Sequence, residues 1–181
     1  MPVSLEVAMV SGRSTTLNVE ADTSVDDLRH AAQESLDVGK GSLLSAAGDL
    51  LRGPTTVHQA GLRSGDRLMY NIRPCQKVEC KGGQAAAEIQ GDGSVKTWGY
   101  GRGVENFFAV KDELFNVQEL QVCDSAFAAL RGDGRVFTWG NPNCGGDSSA
   151  VQAQLTDVHH IQALEAGFVA VLAGGQEVKW P

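Results

Sequence analysis

Apolar and polar residues alternate at the start of the chain, so that every second side chain is apolar. The apolar positions are Val3, Leu5, Val7 and Met9. A period of two is typical of a strand with one buried face. A turn at residues 11–14 and a second alternating segment at residues 16–19 follow, so the pattern predicts a β-hairpin.

A helical period follows the hairpin. Its apolar positions are Val25, Leu28, Ala32 and Leu36. These positions form one stripe along an α-helix. Thr23 is the predicted N-cap, Asp26 is expected at position N3 beside the positive end of the helix dipole, and Gly39 is expected to end the helix.

Short apolar segments complete this part of the chain. Residues 43–44 and 50–51 are predicted strands on either side of a turn at residues 47–49. Residues 57–62 are a predicted loop with apolar anchors, and alternation at residues 68–72 predicts a last strand. The order strand, strand, helix, strand, turn, strand predicts a small α+β domain, in which one helix crosses a sheet on the β-grasp plan.

The rest of the chain repeats itself. Trp98, Trp139 and Trp180 stand 41 residues apart, and a fixed period near 40 is typical of a repeat architecture. Each unit contains three strand candidates, and Gly93 and Gly134 lie in Asp-Gly pairs that favour hairpins because both residues tolerate positive φ. The third copy is degenerate, so we count about two and a third units.

The tryptophans are expected to pack between repeat units, and not to bind a ligand. The polar loops that follow Trp98 and Trp139 are better candidates for a contact surface, because loops carry binding residues more often than packed strands do.

The charge of the chain argues against nucleic-acid or membrane-surface binding. The sequence has 15 Lys and Arg residues against 22 Asp and Glu residues, a formal net charge of −7, whereas such binders need a basic face. The sequence also lacks the pattern of a signal peptide or of a membrane span. We therefore expect an intracellular protein, cytoplasmic or nuclear.

Residue patterns for catalysis are missing. The four cysteines are Cys75, Cys80, Cys123 and Cys144. They include no Cys-x-x-Cys pair and favour free thiols over a zinc site. The sequence has no Gly-x-Ser-x-Gly elbow, and the glycines at 99, 101 and 103 have the wrong spacing for a phosphate loop. We expect no catalytic residue, metal or cofactor, and so no enzyme activity in this chain.

The chain from Val3 to Arg73 resembles ubiquitin. The resemblance rests on the helix opening Asp22–Val25, the run Leu43–Leu51 and the ending Thr55–Leu62. It implies a β-grasp fold with an apolar patch on the sheet for partners. Leu44 and Met69 would occupy that patch, and Asn71 stands where an apolar residue is usual. A second interpretation stays open, in which Leu44 and Met69 only cover the edge of the core.

The resemblance fails at the conjugation site. Ubiquitin is conjugated through a free Gly-Gly terminus, whereas this chain continues past Ile72 into Arg73-Pro74. Gly82-Gly83 lies well beyond the last strand, within the first repeat, and we interpret it as a turn. The resemblance therefore implies an integral ubiquitin-like domain and not a modifier.

The repeats resemble those of the regulator of chromosome condensation family, a β-propeller family. The run Ala126–Leu130, the Asp-Gly turn and the Thr-Trp-Gly ending carry the resemblance. It implies a ubiquitin-like domain at residues 1–73, a linker at 74–76 and all-β propeller-type repeats at 77–181 that form an incomplete ring. Missing blades imply open strand edges and uncovered apolar faces. The chain would then be a fragment of a longer protein, or would associate with itself through the open edge.

Together the resemblances imply a non-catalytic protein-interaction chain. We expect the ubiquitin-like domain to bind ubiquitin receptors or proteasome subunits and the repeats to hold another protein, as in large ubiquitin ligases that carry such propellers beside a catalytic domain. The alternative is guanine-nucleotide exchange on a small GTPase, or its regulation. A third interpretation is structural, with the ubiquitin-like domain as a cap on the repeats. We expect no nucleic-acid or membrane partner.

Overall fold

The computed structural model describes residues 2–81 and 84–181, so that Gly82-Gly83, interpreted above as a turn, lies outside the described residues. The chain divides into two compact units, Met1–Pro74 and Cys75–Pro181, here called the first unit and the second unit. Within the described ranges, no helix is long and apolar enough to cross a membrane.

The first unit, as far as it is described, is a five-stranded sheet with one helix. Its elements are, in chain order, β1 (Pro2–Ala8), β2 (Ser14–Glu20), α1 (Val25–Leu36), β3 (Ser42–Leu44), β4 (Leu50–Leu51) and β5 (Arg67–Asn71). The strand order is β2-β1-β5-β3-β4, with β1 parallel to β5 and the other neighbours antiparallel. This is the β-grasp architecture that the order of patterns predicts.

The core of the first unit lies between α1 and one face of the sheet. The helix buries its whole predicted stripe. The sheet contributes Leu5, Val7, Leu43, Leu68 and Tyr70, all at most 2% exposed. Because side chains alternate along a strand, the neighbours of these residues point to the opposite face of the sheet. That opposite face carries the candidate site.

The ends of α1 differ from the prediction. Ser24, not Thr23, is the N-cap, and its Oγ accepts the N–H of Asp27 at 3.0 Å. Thr23 belongs to the preceding turn, since its N–H donates to the carbonyl of Glu20 at 3.0 Å. The helix ends before Gly39, because Asp37 adopts the left-handed conformation with a φ of 49° and caps it.

The second unit forms three sheets within the described residues, each of three antiparallel strands. Its elements are β6 (Gln76–Glu79), β7 (Ala85–Ile89), β8 (Val95–Gly99), α2 (Phe107–Val110), β9 (Val117–Val122), β10 (Ala126–Arg131), β11 (Val136–Gly140), β12 (Val158–Leu164), β13 (Gly167–Leu172) and β14 (Glu177–Trp180), with 3₁₀ turns at Gly101–Val104, Lys111–Glu113, Pro142–Cys144 and Gln152–Gln154. The sheets are β6-β7-β8, β9-β10-β11 and β12-β13-β14. The third repeat, expected as a partial copy, therefore forms all three strands.

The three sheets of the second unit pack face to face around two cores. In β10, Phe127 and Ala129 pack toward the first sheet, against Ala85 and Ala87. The alternate residues of β10 pack toward the third sheet, against Phe168 and others. Every residue of β10 is buried. The middle sheet is thus shared between both cores, and the first and third sheets each have one outer face.

The Asp-Gly turns link consecutive sheets. Gly93 and Gly134 each have a φ of 78°. Their carbonyls accept the N–H of Val117 and of Val158, each at 2.9 Å, at the start of the next sheet. In each pair the glycine alone has positive φ, and the side chain of Asp92 accepts the N–H of Ser94.

Candidate functional site

A shallow apolar groove of about 370 Å³ lies on the face of the first unit that points away from α1. Here it is called the Met69 groove, and it is lined by Ala8, Met9, Leu44, Ser45, Ala46, Gly48, Arg67, Leu68 and Met69. Strand register builds its floor: Met69 on β5 lies directly opposite Ala8 on β1 and opposite Leu44 on β3. Three neighbouring strands thus bring three apolar side chains together.

Met69 is the most exposed large apolar side chain of the groove. Its exposed fraction is 43%, whereas Ala8 beside it is 5% exposed and Leu44 is half-buried. Burying the apolar surface of a methionine side chain lowers the free energy of a protein. The exposed part of Met69 is not buried by this chain, so a partner can gain that free energy by covering it.

The turn that forms one wall of the Met69 groove is held by its own hydrogen bonds. Ser45 Oγ accepts the N–H of Ala47 at 3.2 Å and that of Asp49 at 3.1 Å. The same hydroxyl donates to Asp49 Oδ2 at 3.2 Å, and Ser45 N–H donates to the Asp49 carbonyl at 2.8 Å. A wall ordered in this way loses little conformational freedom when a partner binds.

One end of the Met69 groove carries both signs of charge. Arg67 Nε lies 3.6 Å from Glu6 Oε1, and both side chains are well exposed. An exposed ion pair of this kind adds little to folding stability. Each partner is free to exchange that contact for one with an incoming charged group.

The structure brings together two of the three residues that the sequence assigned to a partner-binding patch. Leu44 and Met69 are cross-strand neighbours in the groove. Asn71 shares their face of the sheet, but lies opposite Ser42 and outside the groove lining. Whether the patch binds a partner stays a prediction.

Sequence reasoning missed Ala8 and Met9 as groove residues. The alternating pattern assigned Met9 to the core face of the first strand, and its partly buried side chain does pack against the core of the first unit. Strand β1 ends at Ala8, and Met9 enters the hairpin turn, where its N–H donates to the Arg13 carbonyl at 2.8 Å and its side chain also lines the groove. The turn residues Ser11-Gly12 were the available signal that alternation stops there.

The three repeat tryptophans have different surroundings. Trp139 is 0% exposed, stacked on Phe127 at a centroid distance of 5.3 Å and edge-on to Phe107 at 5.7 Å. Trp180 is 4% exposed, and its Nε1–H donates to the carbonyl of Gly145 at 3.1 Å. Trp98 is 39% exposed, with the Lys77 ammonium 5.4 Å from its ring centroid.

The position of each tryptophan in the stack explains this difference. Phe107 lies in the segment after the first sheet and covers Trp139 of the second sheet. Gly145 lies in the segment after the second sheet and binds Trp180 of the third. No repeat segment precedes the first sheet in the described residues, so no such segment covers Trp98. The expectation that every repeat tryptophan packs between sheets is therefore wrong for Trp98.

The loop after the first sheet exposes aromatic side chains. Tyr100 is 70% exposed and Phe108 is 80% exposed. The Lys111 ammonium lies 5.8 Å from the ring centroid of Phe108. These rings make the loop an exposed apolar surface of the second unit.

Two thiols of the second unit, Cys80 and Cys123, are buried and Cys144 is half-buried, whereas Cys75 is exposed. Burial, and then the neighbouring Cys123, raise the pKa of the Cys80 thiol to about 11, so Cys80 is a neutral, weak nucleophile at neutral pH. Cys123 Sγ donates to the carbonyl of Cys144 at 2.9 Å. Within the described residues, no group of three His, Cys, Asp or Glu side chains is arranged to hold a metal ion.

A larger concavity of about 980 Å³ lies in the second unit, open to solvent and lined largely by loop residues such as Asp157 and Gly174. Its carboxylates include Asp133, which the guanidinium of Arg131 binds at 2.6 Å. This hydrogen bond holds the pKa of Asp133 below its usual range. Arg131 also stacks on Phe115 at 4.2 Å, so the ion pair belongs to the packing of the second sheet.

Comparisons with known proteins match only a part of the chain. No protein-family model matches it, and no curated protein does. Among solved structures, the UBL domain of Dsk2 from Plasmodium falciparum is 19% identical, with a TM-score of 0.35, and covers 39% of this chain and 96% of its own. The ubiquitin of Caldiarchaeum subterraneum is 17% identical, with a TM-score of 0.38, and covers 41% and 96%. A design based on ubiquitin is 20% identical, with a TM-score of 0.36, and covers 40% and 89%.

The fold assignment itself rests on the strands. The order β2-β1-β5-β3-β4, the parallel central pair and the single helix packed on one face are the features that define it. The first unit of this chain has the ubiquitin-like β-grasp fold.

Proposed function

We propose that the first unit is a protein-docking domain whose Met69 groove holds one apolar segment of a partner protein. The observation that carries the proposal is the exposed Met69 side chain, placed by strand register between Ala8 and Leu44. Contiguous exposed apolar surface with a polar rim is typical of a protein-interaction site.

The expected occupant is an amphipathic helix of the partner. Two lining residues, Met9 and Met69, have unbranched thioether side chains that adapt to different apolar shapes. A helix presents apolar residues at i, i+3 and i+4 along one stripe, which suits a shallow groove. The exposed Glu6–Arg67 pair at one end can bind charged residues that flank such a stripe.

The partner class we favour is a ubiquitin receptor, including receptor subunits of the proteasome. The ubiquitin-like fold of the first unit and the position of Leu44 and Met69 on its sheet support this choice. The chain would then contribute a non-catalytic interaction module to the ubiquitin pathway.

The test is capture of purified receptor domains by the whole chain. The double variant Leu44→Ala with Met69→Ala truncates two of the three apolar side chains that form the groove floor. We expect capture to fall at least tenfold, since truncating two buried anchors of an interface typically costs over 1 kcal/mol each. The probes are isolated helical ubiquitin-binding domains and a proteasomal ubiquitin receptor, measured by calorimetry.

Asn71→Ala is the matched control, because Asn71 lies on the same strand and face but outside the groove lining. It should leave the affinity within about twofold. Circular dichroism must show the double variant folded. Equal binding by the wild-type chain and the folded double variant would rule out the groove as the docking site.

The second unit supports a coarser proposal, in which the sheet stack presents its loops to another protein. The exposed Tyr100 and Phe108 favour the loop after the first sheet as that surface. The propeller assignment, the scaffold or ligase role and the alternative of guanine-nucleotide exchange rest on the sequence resemblance alone and stay predictions.

A further inference from the structure

Three of the four cysteines lie near one another in the second unit. Burial, and then Cys123, Asp124 and Cys144, raise the pKa of the Cys80 thiol, so the three thiols share one neighbourhood. Cys80 and Cys123 occupy equivalent places, each directly after the first strand of its sheet. In both, the cysteine N–H donates to the carbonyl of the first residue of the central strand, at 2.9 Å and 3.0 Å. We call Cys80, Cys123 and Cys144 the thiol cluster.

The segment after β11 brings Cys144 to the thiol cluster. Cys144 ends the 3₁₀ turn Pro142–Cys144, which Asn141 caps by accepting the N–H of Asn143 on its side chain at 3.1 Å. The N–H of Asn141 donates to the carbonyl of Ser125 at 2.9 Å. This bond fixes the turn against the hairpin between β9 and β10, in which Ser125 lies.

The sulfur of Cys144 accepts two hydrogen bonds, from Ser125 Oγ at 3.3 Å and from Asn141 Nδ2 at 3.5 Å. The same amide also donates to Ser125 Oγ at 3.2 Å, which holds both donors in place. Donors directed at a sulfur stabilise negative charge on it, and the thiolate is the form that reacts with oxidants. Cys144 is half-buried, whereas the other two thiols of the cluster are buried. These contacts make Cys144 the nucleophile of the cluster.

Cys123 is placed to react next with Cys144. Its Sγ donates to the carbonyl of Cys144 at 2.9 Å, so the Cys123 thiol lies against the residue whose sulfur it would join. Cys123 also precedes Ser125 by two residues, and the Ser125 hydroxyl contacts the Cys144 sulfur. Cys80 is the weaker candidate, because its pKa of about 11 keeps that thiol neutral.

A cavity of about 350 Å³ lies beside the thiol cluster. Its lining includes Cys80 and both donors to the Cys144 sulfur, Ser125 and Asn141. Hydrogen peroxide is about the size of two water molecules, each with a share of about 30 Å³ in the liquid. The cavity therefore has room for a small hydroperoxide next to the groups that hold the Cys144 sulfur.

We propose that Cys144 and Cys123 form a peroxide-sensitive dithiol that converts to a disulfide. The Cys144 thiolate attacks one oxygen of a hydroperoxide, the O–O bond breaks, and the other oxygen leaves as hydroxide or alkoxide and takes up a proton. The sulfur of Cys123 then attacks the sulfenic acid on Cys144, an S–S bond forms, and the hydroxyl leaves as water with the Cys123 proton. The two thiols lose two electrons, which the peroxide gains.

The disulfide acts on the attachment of the third sheet. Gly145 follows Cys144, and its carbonyl accepts the Nε1–H of Trp180 at 3.1 Å. Closing the disulfide removes the hydrogen bond of Cys123 to the Cys144 carbonyl and moves the backbone beside Gly145. Oxidation should therefore change the fluorescence of Trp180, which gives the dithiol an optical readout.

The first experiment compares oxidation rates within the wild-type chain. The purified protein is treated with hydrogen peroxide, its remaining thiols are alkylated at successive times, and mass spectrometry gives the rate at each cysteine. Cys144 should be oxidised about tenfold faster than the exposed Cys75, which is the internal reference. Ser125→Ala removes one donor and should slow Cys144 without changing Cys75. A Cys144 rate no higher than that of Cys75 would overturn the proposal.

The second experiment identifies the product in a Cys75→Ser background, which cannot cross-link through the exposed thiol. Peptide mapping should find Cys123 joined to Cys144, and a dithiol reductant should restore both thiols. Cys123→Ser should leave a sulfenic acid on Cys144 that dimedone traps, and Cys144→Ser should yield no disulfide. Cys80→Ser is the matched control and should leave the yield unchanged. Circular dichroism must show each variant folded.

Two results of the mapping would contradict the proposal. One is a disulfide that joins Cys80 to Cys123, and the other is Cys144 oxidised to a sulfinic acid while Cys123 stays a free thiol. The fluorescence change gives an independent check, since Trp180→Phe should remove most of it and Trp98→Phe should leave it. A change of equal size in both variants would refute the coupling to the third sheet.

Discussion

Replacing each repeat tryptophan with phenylalanine should give three different losses of stability from one repeated motif. Trp98→Phe should change the free energy of unfolding by less than about 0.5 kcal/mol, because the ring is partly exposed. Trp139→Phe removes part of a fully buried ring and should cost on the order of 1–2 kcal/mol through the cavity that it leaves.

Trp180→Phe should cost more than Trp139→Phe, although both rings are buried. Trp180 donates its Nε1–H to the Gly145 carbonyl at 3.1 Å, whereas Trp139 Nε1 has no hydrogen-bond partner among the described residues. Phenylalanine at 180 therefore loses a hydrogen bond and leaves a carbonyl unsatisfied. This adds about 1–2 kcal/mol to the cavity term.

The assay is urea unfolding followed by tryptophan fluorescence. All three tryptophans of the chain lie in the second unit, so the signal reports the unfolding of that unit alone, and each variant retains two of them. Midpoints and m-values give the change in the free energy of unfolding. Equal losses for Trp139→Phe and Trp180→Phe would refute the hydrogen-bond argument. A Trp98→Phe loss as large as that of Trp139→Phe would refute the assignment of Trp98 to an outer face.

Three further predictions concern single positions. A Cβ on Gly41 would lie 2.8 Å from a backbone carbonyl oxygen, whereas one on Gly39 would meet nothing within 4 Å; Gly41→Ala should therefore lower the melting temperature of the first unit by the equivalent of about 1–3 kcal/mol, and Gly39→Ala should leave it nearly unchanged. Ser24→Ala should cost about 1 kcal/mol of the same unfolding free energy, through loss of the N-cap, and a loss near zero would contradict the cap assignment. Arg131→Met should destabilise the second unit at neutral pH by about 2 kcal/mol. Arg131 lowers the pKa of Asp133 in the folded protein. The pairing therefore stabilises the folded second unit fully at pH values above the unfolded pKa of about 3.9, and this stabilisation is lost as the pH falls through the folded pKa. The urea midpoints of wild type and variant should converge on acidification, and a constant difference between them would contradict the pairing.

Periodicity was enough to predict α1 and the strand candidates, but not α2 or the 3₁₀ turns, which lie in segments interpreted as loops. The stripe of α1 follows from a period near 3.6 and is confirmed by the burial of all four of its residues. The exact helix start could not be predicted, because Thr23 and Ser24 both carry a hydroxyl that can cap. In the structure the Thr23 backbone is held by the preceding turn, through the Glu20 carbonyl, and by the N–H of Val57, which leaves Ser24 as the cap.

Burial along the repeat could not be predicted from the motif. The sequence around Trp98 is nearly the same as that around Trp139, yet one ring is exposed and the other is not. The difference depends on which segment lies against each ring, and that is a property of position in the stack.

The Met69 groove was predictable only in part. The resemblance identified Leu44 and Met69, and the strand register places them side by side. It did not identify Ala8, the last residue of β1, or Met9, which follows it in the hairpin turn. Asn71 shares the face but not the groove, a distinction that depends on the turn at Ser45–Asp49 and not on the strand pattern.

The shared middle sheet has a consequence for how the second unit folds and opens. Strand β10 has both faces buried, and the turns at Gly93 and Gly134 bond each sheet to the next. The first and third sheets each contact one neighbour, so either can detach while the remaining pair keeps its core. Opening should therefore begin at the two ends and reach β10 last, which makes the amide protons of β10 the slowest to exchange with solvent in this unit. The end sheets of the second unit would then open separately, before the unit unfolds as a whole.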